Sequence, residues 1–161
     1  MNGNDTQILV AEMTSVFDFL NYIRIVIKDG KWTWLNWIFL MAVFGNKKCR
    51  WFVVKEKGKI VGGFAIADYP VAKYKPLNWF NFKFREKIDE LMRRGFQGFC
   101  CFVISPEYQN KGIGSIVWNS YFKTHHLKLF FTATKKAVPF YLRHGAKAFY
   151  PDRYTIYTYE N

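Results

Sequence analysis

Residues 105–115 combine a proline, polar side chains and two glycines at a spacing that suits an anion-binding loop. The segment reads Ser-Pro-Glu-Tyr-Gln-Asn-Lys-Gly-Ile-Gly-Ser and lies between an apolar run and a stretch with helical spacing. The first-turn amides of a helix have no partner inside the helix, and the helix dipole is positive at that end. Gly112 and Gly114 carry no side chain, so a ligand can approach the backbone closely. A strand, a glycine loop and a helix N-terminus together predict a phosphate site.

Two common phosphate-binding motifs do not fit this loop. The P-loop requires Gly-x-x-x-x-Gly-Lys followed by Ser or Thr, and the segment lacks that pattern. The dinucleotide fingerprint requires a third glycine where this chain has Val117, and it should open a β-α-β unit that does not follow here. What remains is Gln-x-x-Gly-x-Gly after a strand and Pro-Glu-Tyr.

A second group of residues follows after one predicted helix and one predicted strand. Its members are Thr134, Ala137, Phe140, Tyr141, Gly145 and Ala146. Together the two groups resemble the GNAT-type N-acetyltransferases, whose acetyl-CoA loop reads roughly V-x-P-E-Y-[RQ]-G-K-G-I-G-S and whose later motif reads N-x-x-A-x-x-F-Y-x-x-x-G-F. The resemblance is close over residues 99–150, weaker over 49–67 and only topological before that. Two motifs in this order are more specific than a single Gly-x-Gly.

The chain departs from the family pattern at four places. Thr134 stands where the family usually has Asn, Asn110 where it has glycine, and Ala146 where it has an aromatic residue. The segment 68–97 is long for the link between the third and fourth strands. These departures concern fine positioning more than the cofactor site.

The resemblance implies that acetyl-CoA is the cosubstrate. The backbone amides of residues 110–115 would bind its pyrophosphate, and Gln109 and Lys111 would hold the loop or the phosphates. A strand before the loop would pair with the two amides of the pantetheine arm, and one backbone N–H would polarise the thioester carbonyl. The implied cofactor-binding residues are Phe102, Val103, Ile104, Gln109, Asn110, Lys111, Gly112, Ile113, Gly114 and Ser115.

The expected reaction moves an acetyl group from acetyl-CoA to a primary amine by direct attack, without a covalent enzyme intermediate. The amine must be neutral to attack, so a base or a water path must remove a proton. The leaving thiolate needs a proton, and Tyr141 matches the general acid of the family. Many relatives place a basic Glu on the fourth strand, but residues 99–105 contain no acid. Asp68, at the end of the third strand, and a chain of waters are the open alternatives.

No metal site is expected. His125 and His126 are adjacent at a predicted helix end, where their side chains point to different sides, and no zinc-ligand spacing occurs. Cys100 and Cys101 lie in a predicted buried strand. Alternation along a strand predicts one cysteine on each side of the sheet, so that one of them could line the thioester site.

The elements that must position these residues follow the order β-α-α-β-β-(α)-β-α-β-α-β-β. Apolar runs of strand length predict strands over 49–55, 59–67 and 99–105. Helical spacing predicts a helix after the capping box Ser15-x-x-Asp18, and a second helix that ends near Gly95 and has Phe84, Ile88, Leu91 and Met92 on one face. Trp32 to Phe44 predicts a mostly buried helix. We expect one α/β (α+β) domain over 1–161, with an insertion at 68–97. Its GNAT-like mixed, centrally parallel sheet has about six to seven strands and helices on both faces.

The composition narrows the class of protein. The chain has 161 residues, half of them apolar, and a formal charge of +12, which excludes wholesale disorder and fibrous or disulfide-scaffold classes. The charge favours an anionic partner. The alternative function is therefore a basic nucleic-acid- or ribosome-binding module on the same fold, without turnover, for which the aromatic and basic residues of 73–94 are suited. The glycines of the loop and Tyr141 favour the enzyme.

Location follows from the cysteines and the apolar segments. Three cysteines do not make a disulfide framework, and no basic region precedes an apolar run near the N-terminus, so we expect a reducing, cytoplasmic location. Residues 32–44 are too short to cross a bilayer, and no membrane span is expected. The acceptor, the acyl chain length and the oligomeric state stay open, with a homodimer among the alternatives.

Overall fold

The structure is a computed structural model and describes residues 7–28, 48–68, 81–151 and 155–161. Seven strands form one sheet in the order β1-β2-β3-β4-β5-β7-β6. The strands are β1 (Ile8–Glu12), β2 (Cys49–Glu56), β3 (Lys59–Ala67), β4 (Gln97–Ile104), β5 (Leu129–Thr132), β6 (Lys147–Tyr150) and β7 (Ile156–Tyr159). The predicted number of strands is confirmed.

The sheet is mixed, and its parallel part is small. Among the described strands, β4 and β5 are the parallel pair, and their register joins Gln97 to Leu129 and Gly98 to Phe130. Every other neighbouring pair is antiparallel. The parallel pair lies at the centre of the strand order, as predicted, but most of the sheet around it is antiparallel.

Helices cover both faces of the sheet, as predicted. They are α1 (Val16–Lys28), α2 (Phe82–Arg93), α3 (Ile113–Val117) and α4 (Val138–Arg143), and a π-helical turn, Trp118–Phe122, continues α3. Alternation along β3 sends Phe64 to the face that α3 and α4 cover and Ala65 to the face that α1 covers. The helix α2 packs against Phe130 and Ile156.

Side-chain caps fix where the first two helices begin. The backbone N–H of Asp18 donates to the Ser15 hydroxyl at 3.1 Å, as the capping-box pattern predicts. The Asn81 side chain accepts a bond from the Phe84 backbone N–H at 3.0 Å, and α2 therefore begins slightly earlier than the spacing of its apolar residues indicates. Gly95, with φ +80°, follows the end of that helix, close to where the sequence predicts its end.

The hairpin of β2 and β3 agrees with the sequence prediction. Both turn residues, Lys57 and Gly58, have positive φ, at 49° and 80°. The predicted helix from Trp32 to Phe44 lies outside the described residues, as do residues 69–80 of the predicted insertion. In the part of the chain that the structure describes, no helix is long and apolar enough to cross a bilayer.

Candidate active site

A wedge opens between β4 and β5. Their pairing ends at Gly98 and Phe130, while β4 continues to Ile104 and β5 to Thr132. We call the paired part of β4 its closed end and Phe99–Ile104 its open end. At the open end, the backbone edge that faces β5 has no paired strand within the described residues. An extended ligand that carries amide groups can pair with such an edge as an added strand.

A β-bulge interrupts the open end of β4. The register joins Ala65 to Cys100 and Gly63 to Val103, so one residue of β3 faces two residues of β4. At the bulge, Cys101 has φ +60°, a left-handed conformation that side chains other than glycine rarely adopt.

The bulge corrects the prediction that the two cysteines face opposite sides of the sheet. Cys100 and Cys101 both pack on the face that α1 covers. The extra residue breaks the alternation at this point, and Phe102 then returns to the face of α3 and α4. Neither cysteine lies on the face of Tyr141.

Tyr22 of α1 contacts the bulge from the face of the sheet that α1 covers. Its side chain is fully buried and its hydroxyl donates to the Cys101 carbonyl. Burial, and then the neighbouring Cys101 and Cys100 thiols, raise the pKa of Tyr22 well above its usual value. A Cβ at Gly63 would lie 2.7 Å from the Tyr22 ring, so the ring fits only over a glycine. Sequence reasoning missed Tyr22, although a tyrosine on the apolar face of a helix and a Gly-Gly pair in β3 were the available signals.

The loop after β4 is fastened to the sheet at both of its ends. The Ser105 N–H donates to the Val61 carbonyl of β3 at 2.8 Å, and a 3-10 turn, Pro106–Tyr108, follows. The Gln109 side-chain amide then donates back to the Ile104 carbonyl at 2.8 Å. Gln109 therefore fixes the start of the glycine segment relative to the open end of β4.

The glycine segment turns twice through left-handed backbone. Asn110 has φ +61° and Gly112 has φ +77°. Asparagine tolerates this region better than other side chains, which explains how Asn110 can stand where the family pattern has glycine. Successive N–H groups in such turns can converge on an anion. No described atom lies within 4 Å of a Cβ built on Gly112, so open space adjoins the loop.

The first residues of α3 have different surroundings. Ile113 is buried in the core, so its backbone rather than its side chain is available to a ligand. A Cβ on Gly114 would lie 3.3 Å from Phe140, and the glycine therefore lets α3 approach α4 closely. Ser115 is partly exposed in the same turn. The wedge, the loop and this helix start thus bring together the predicted cofactor-binding residues.

Lysines surround the loop. The Lys111 ammonium lies 5.0 Å from the centre of the Tyr108 ring, and the Lys59 ammonium lies 5.5 Å from the same ring. Glu107 forms an exposed ion pair with Lys28 at 3.4 Å. Sequence reasoning missed Lys59, because the β2–β3 hairpin brings it to the loop from a distant part of the chain. The positive field of these lysines favours a phosphate ligand.

Tyr141 lies at the narrow end of the wedge. Its ring centre is 4.5 Å from that of Phe131 and 6.4 Å from that of Phe99, the residues that directly follow the last β4–β5 pair. Burial raises the pKa of Tyr141 above its usual value, so the phenol keeps its proton at neutral and moderately alkaline pH. A buried, protonated phenol can donate a proton to a ligand in the wedge.

Asp68 lies away from this site. Its carboxylate accepts a bond from the Gln97 side chain at the closed end of β4. The bulge is roughly 13 Å further along the strand, at about 3.3 Å per residue. Asp68 therefore bonds at the closed end of β4, away from the bulge, and its role as the base stays a prediction.

The histidines have local contacts. A ring nitrogen of His125 lies 2.8 Å from the Tyr121 carbonyl, near the end of the helical segment. In the described ranges no three His, Cys, Asp or Glu residues are grouped so as to hold a metal ion.

Comparisons with known proteins agree with this geometry. A family model described as the acetyltransferase (GNAT) domain matches residues 47–145. No curated protein matches the sequence. Solved structures with the same fold include the ribosomal-protein-S18-alanine N-acetyltransferase from Escherichia coli, at 12% identity and a TM-score of 0.63 over 96% of this chain and 94% of that one.

Two other similar structures illustrate the range of the fold. The N-acetyltransferase YlbP of Bacillus subtilis, in complex with coenzyme A, has 13% identity and a TM-score of 0.59 over 96% of this chain and 97% of its own. FeeM, an N-acyl amino acid synthase from uncultured soil microbes, has 10% identity and a TM-score of 0.63 over 96% and 91%. Because the family match spans more than half of the sequence and includes the wedge, the loop and Tyr141, the chain belongs to the GNAT acetyltransferase family.

Proposed function

We propose that this protein transfers an acetyl group from acetyl-CoA to a primary amine by direct attack. The observation that carries the proposal is the wedge between β4 and β5, which has a left-handed glycine loop beside its open end and a protonated tyrosine at its narrow end. An extended ligand with a phosphate group, an arm that contains amides and a thioester would find a matching protein group for each of these parts along the wedge. Coenzyme A bound to a protein of the same fold supports the choice of ligand.

The predicted residues would hold acetyl-CoA mainly through their backbone. The N–H groups of residues 110–115 would bind the pyrophosphate, with Lys111 and Lys59 supplying positive charge. The pantetheine arm would lie along Phe102 and Val103. The Ile104 carbonyl is already bonded to Gln109, so that residue would contribute its N–H or its side chain. In this proposal each of the ten predicted binding residues would have a role.

In the chemical step the neutral amine attacks the thioester carbonyl. A C–N bond forms, the carbonyl oxygen gains negative charge, and a backbone N–H of β4 stabilises that charge. The C–S bond then breaks and Tyr141 gives its proton to the leaving thiolate. The proton that the amine loses passes through water, since no acidic side chain occurs on the open end of β4, and Tyr141 recovers its proton from solvent.

The acceptor class follows only from charge. The similar structures act on different acceptors, a ribosomal-protein alanine in one case and an amino acid in another. The formal charge of +12 favours an acceptor that carries anionic groups besides its amine. We place the protein in the cytoplasm, because the three cysteines are unpaired, as suits a reducing compartment.

The first test is the thermal midpoint of the purified protein with and without acetyl-CoA. At one hundred times its dissociation constant a ligand stabilises a fold by about 2.7 kcal/mol, which shifts the midpoint visibly. ATP at equal ionic strength is the control, because a basic protein gains stability from many polyanions. A shift specific to acetyl-CoA supports the proposal and justifies a screen of primary amines for release of free thiol.

If millimolar acetyl-CoA does not shift the thermal midpoint, the proposal that the protein is an acetyltransferase enzyme is wrong. An equal shift with ATP does the same, because it indicates general anion binding. The alternative, a basic nucleic-acid- or ribosome-binding module, would then be tested by titrating RNA oligomers at two salt concentrations, since phosphate contacts make affinity steeply salt-dependent.

A further inference from the structure

A hydrogen bond on the face of the sheet that α1 covers fixes the orientation of the peptide group between Cys101 and Phe102. The Tyr22 hydroxyl donates to the Cys101 carbonyl, and Tyr22 lies on α1. The described chain has no cis peptide bond, so this peptide is trans. In a trans peptide the C=O and the N–H point in opposite directions. The Phe102 N–H therefore points away from α1, towards the face that α3 and α4 cover.

That face is where Tyr141 lies. The Phe102 ring packs there, with its centre 5.8 Å from that of Phe99 and 6.2 Å from that of Phe140. Phe99 in turn contacts Tyr141. Because β5 has already separated from β4 at this point, no β5 group can take up the Phe102 N–H.

We infer that Tyr22 is a positioning residue, which aims the Phe102 N–H at the carbonyl oxygen of the bound thioester. The inference rests on the proposed function, in which a backbone N–H of β4 stabilises the developing negative charge. What it adds is the role of Tyr22, which touches neither substrate nor cosubstrate but sets the direction of that donor, the Phe102 N–H. A fixed donor is effective because it needs no reorganisation as charge develops.

The strained backbone of the bulge needs a contact, such as the Tyr22 hydrogen bond, to hold it in place. Cys101 occupies a left-handed conformation that is unfavourable for a residue with a side chain. Without the phenol, the partly buried Cys101 carbonyl would lose its bond to Tyr22, and the peptide could rotate to relieve the strain. The Tyr22 ring reaches the carbonyl only because β3 has Gly63 beneath it. Helix, glycine and bulge thus form one arrangement across β3 and β4.

The first experiment uses the unaltered protein. The backbone amide signal of Phe102 is followed by NMR while either acetyl-CoA or free CoA is added. A donor to the acetyl carbonyl predicts a downfield shift of the Phe102 amide proton with acetyl-CoA that free CoA does not produce. If the protein binds acetyl-CoA and this proton responds equally to both ligands, the inference is wrong while the proposed function stands. If acetyl-CoA does not bind, both are overturned.

The second experiment tests Tyr22 with Tyr22→Phe, which removes only the hydroxyl. The probe is acetyl-CoA labelled with carbon-13 at the thioester carbonyl, whose infrared band moves to lower frequency when the oxygen accepts a hydrogen bond. Tyr22→Phe should lose most of this shift, while the dissociation constant for acetyl-CoA changes less than threefold, a change of about 0.6 kcal/mol. Tyr121→Phe is the control, because it also removes one tyrosine hydroxyl but on the opposite face of the sheet from Tyr22, where Tyr121 packs on Phe52 and Phe64.

The outcomes are distinct. A full carbonyl shift in Tyr22→Phe overturns the positioning role, and so does an equal loss in Tyr121→Phe. If Tyr22→Phe does not fold, the response of the Phe102 amide proton in the unaltered protein decides the inference. If that proton does not distinguish acetyl-CoA from free CoA, Phe102 is not a donor to the acetyl carbonyl, and Tyr22 then has no donor to position.

Discussion

The two ends of β4 satisfy their backbone groups in different ways. At the closed end, the Gln97 N–H donates to the Lys128 carbonyl at 2.8 Å, and β3 and β5 pair with the strand on its two sides. At the open end, β5 has separated, and two side chains bond to the backbone instead: Tyr22 to the Cys101 carbonyl and Gln109 to the Ile104 carbonyl. The same strand is therefore a sheet element at one end and a shaped binding edge at the other.

This difference shows how a fold can hold an unpaired strand edge without disorder. Strand pairing aligns every peptide in the same plane, which leaves no group for a ligand. Side-chain bonds fix individual peptides and leave others unpaired, at the cost of a left-handed Cys101. If this comparison is right, changes at the open end alter binding and chemistry, whereas matched changes at the closed end alter stability alone.

Tyr141→Phe should have the largest effect. Removing a general acid typically lowers the rate by about 10²–10⁴-fold, and we expect the turnover rate to fall in that range with the affinity for acetyl-CoA unchanged. Tyr159→Phe is the control, since Tyr159 is also buried and contacts Trp118 but lies away from the wedge. The measurement is thiol release with an active amine. If Tyr141→Phe keeps the full turnover rate, Tyr141 is not the general acid.

Gly112→Asp should weaken acetyl-CoA binding by about 100-fold, because a carboxylate beside a phosphate costs several kcal/mol and 1.4 kcal/mol is a factor of ten. Gly95→Asp is a close match, because Gly95 has nearly the same φ, +80° against +77°, and equally open surroundings, but adjoins the closed end. Both variants should lose similar stability. Calorimetric titration with acetyl-CoA separates them, and equal affinities would mean that the loop does not hold the pyrophosphate.

Alkaline pH should reveal the two buried phenols of the wedge region. The pKa values of Tyr22 and Tyr141 are raised in the fold, whereas an unfolded tyrosine titrates near pH 10. Above that pH the unfolded chain loses protons that the folded one keeps, so the free energy of unfolding falls by about 1.4 kcal/mol per pH unit for each phenol. The stability is fully present below pH 10.

Urea denaturation between pH 9 and pH 11 measures this slope. Tyr22→Phe and Tyr141→Phe should each make it less steep, because each removes one titrating group. The two effects should be similar, although the hydroxyls differ in bonding, since burial is the main cause of both pKa shifts. A slope that neither substitution changes would contradict the burial of these phenols.

Gln109→Ala should have a moderate effect. A hydrogen bond contributes about 0.5–1.5 kcal/mol net, and its loss should weaken acetyl-CoA binding about three- to tenfold by loosening the loop. Gln97→Ala removes a side-chain bond at the closed end, where Gln97 contacts Asp68. Its affinity for acetyl-CoA should equal that of the unaltered protein, and a loss as large as that of Gln109→Ala would remove the distinction between the two ends.

Much of this architecture could be predicted from local pattern. The β2–β3 hairpin follows from Lys57-Gly58 between two apolar runs, and β3 has the bounds that its sequence predicts. The first helix begins at its Ser15 cap. Tyr141 reaches the wedge because a short helix follows β5 at the spacing of the motif. These features depend on neighbouring residues, which the sequence displays directly.

The bulge could not be predicted in the same way. It depends on the register of β4 against β3 and on Tyr22, which lies far from Cys101 in sequence. Simple alternation therefore placed one cysteine on the wrong face. The position of Lys59 beside Tyr108 likewise requires the whole sheet to form. Long-range contacts of this kind decide how single peptide groups are oriented. A strand edge can bind a ligand only if its N–H and C=O groups point towards that ligand.

Asp68→Asn should have the smallest effect, and it tests the closed end directly. The substitution keeps the shape of the side chain and removes its charge, while Gln97 still finds an oxygen acceptor on residue 68. Because the bulge lies roughly 13 Å along the strand, the turnover rate and its dependence on pH should match those of the unaltered protein within about twofold, or 0.4 kcal/mol. A rate that fell strongly and lost its low-pH limb would identify Asp68 as the base after all. The amine would then have to bind towards the closed end, and the wedge would serve only the cosubstrate.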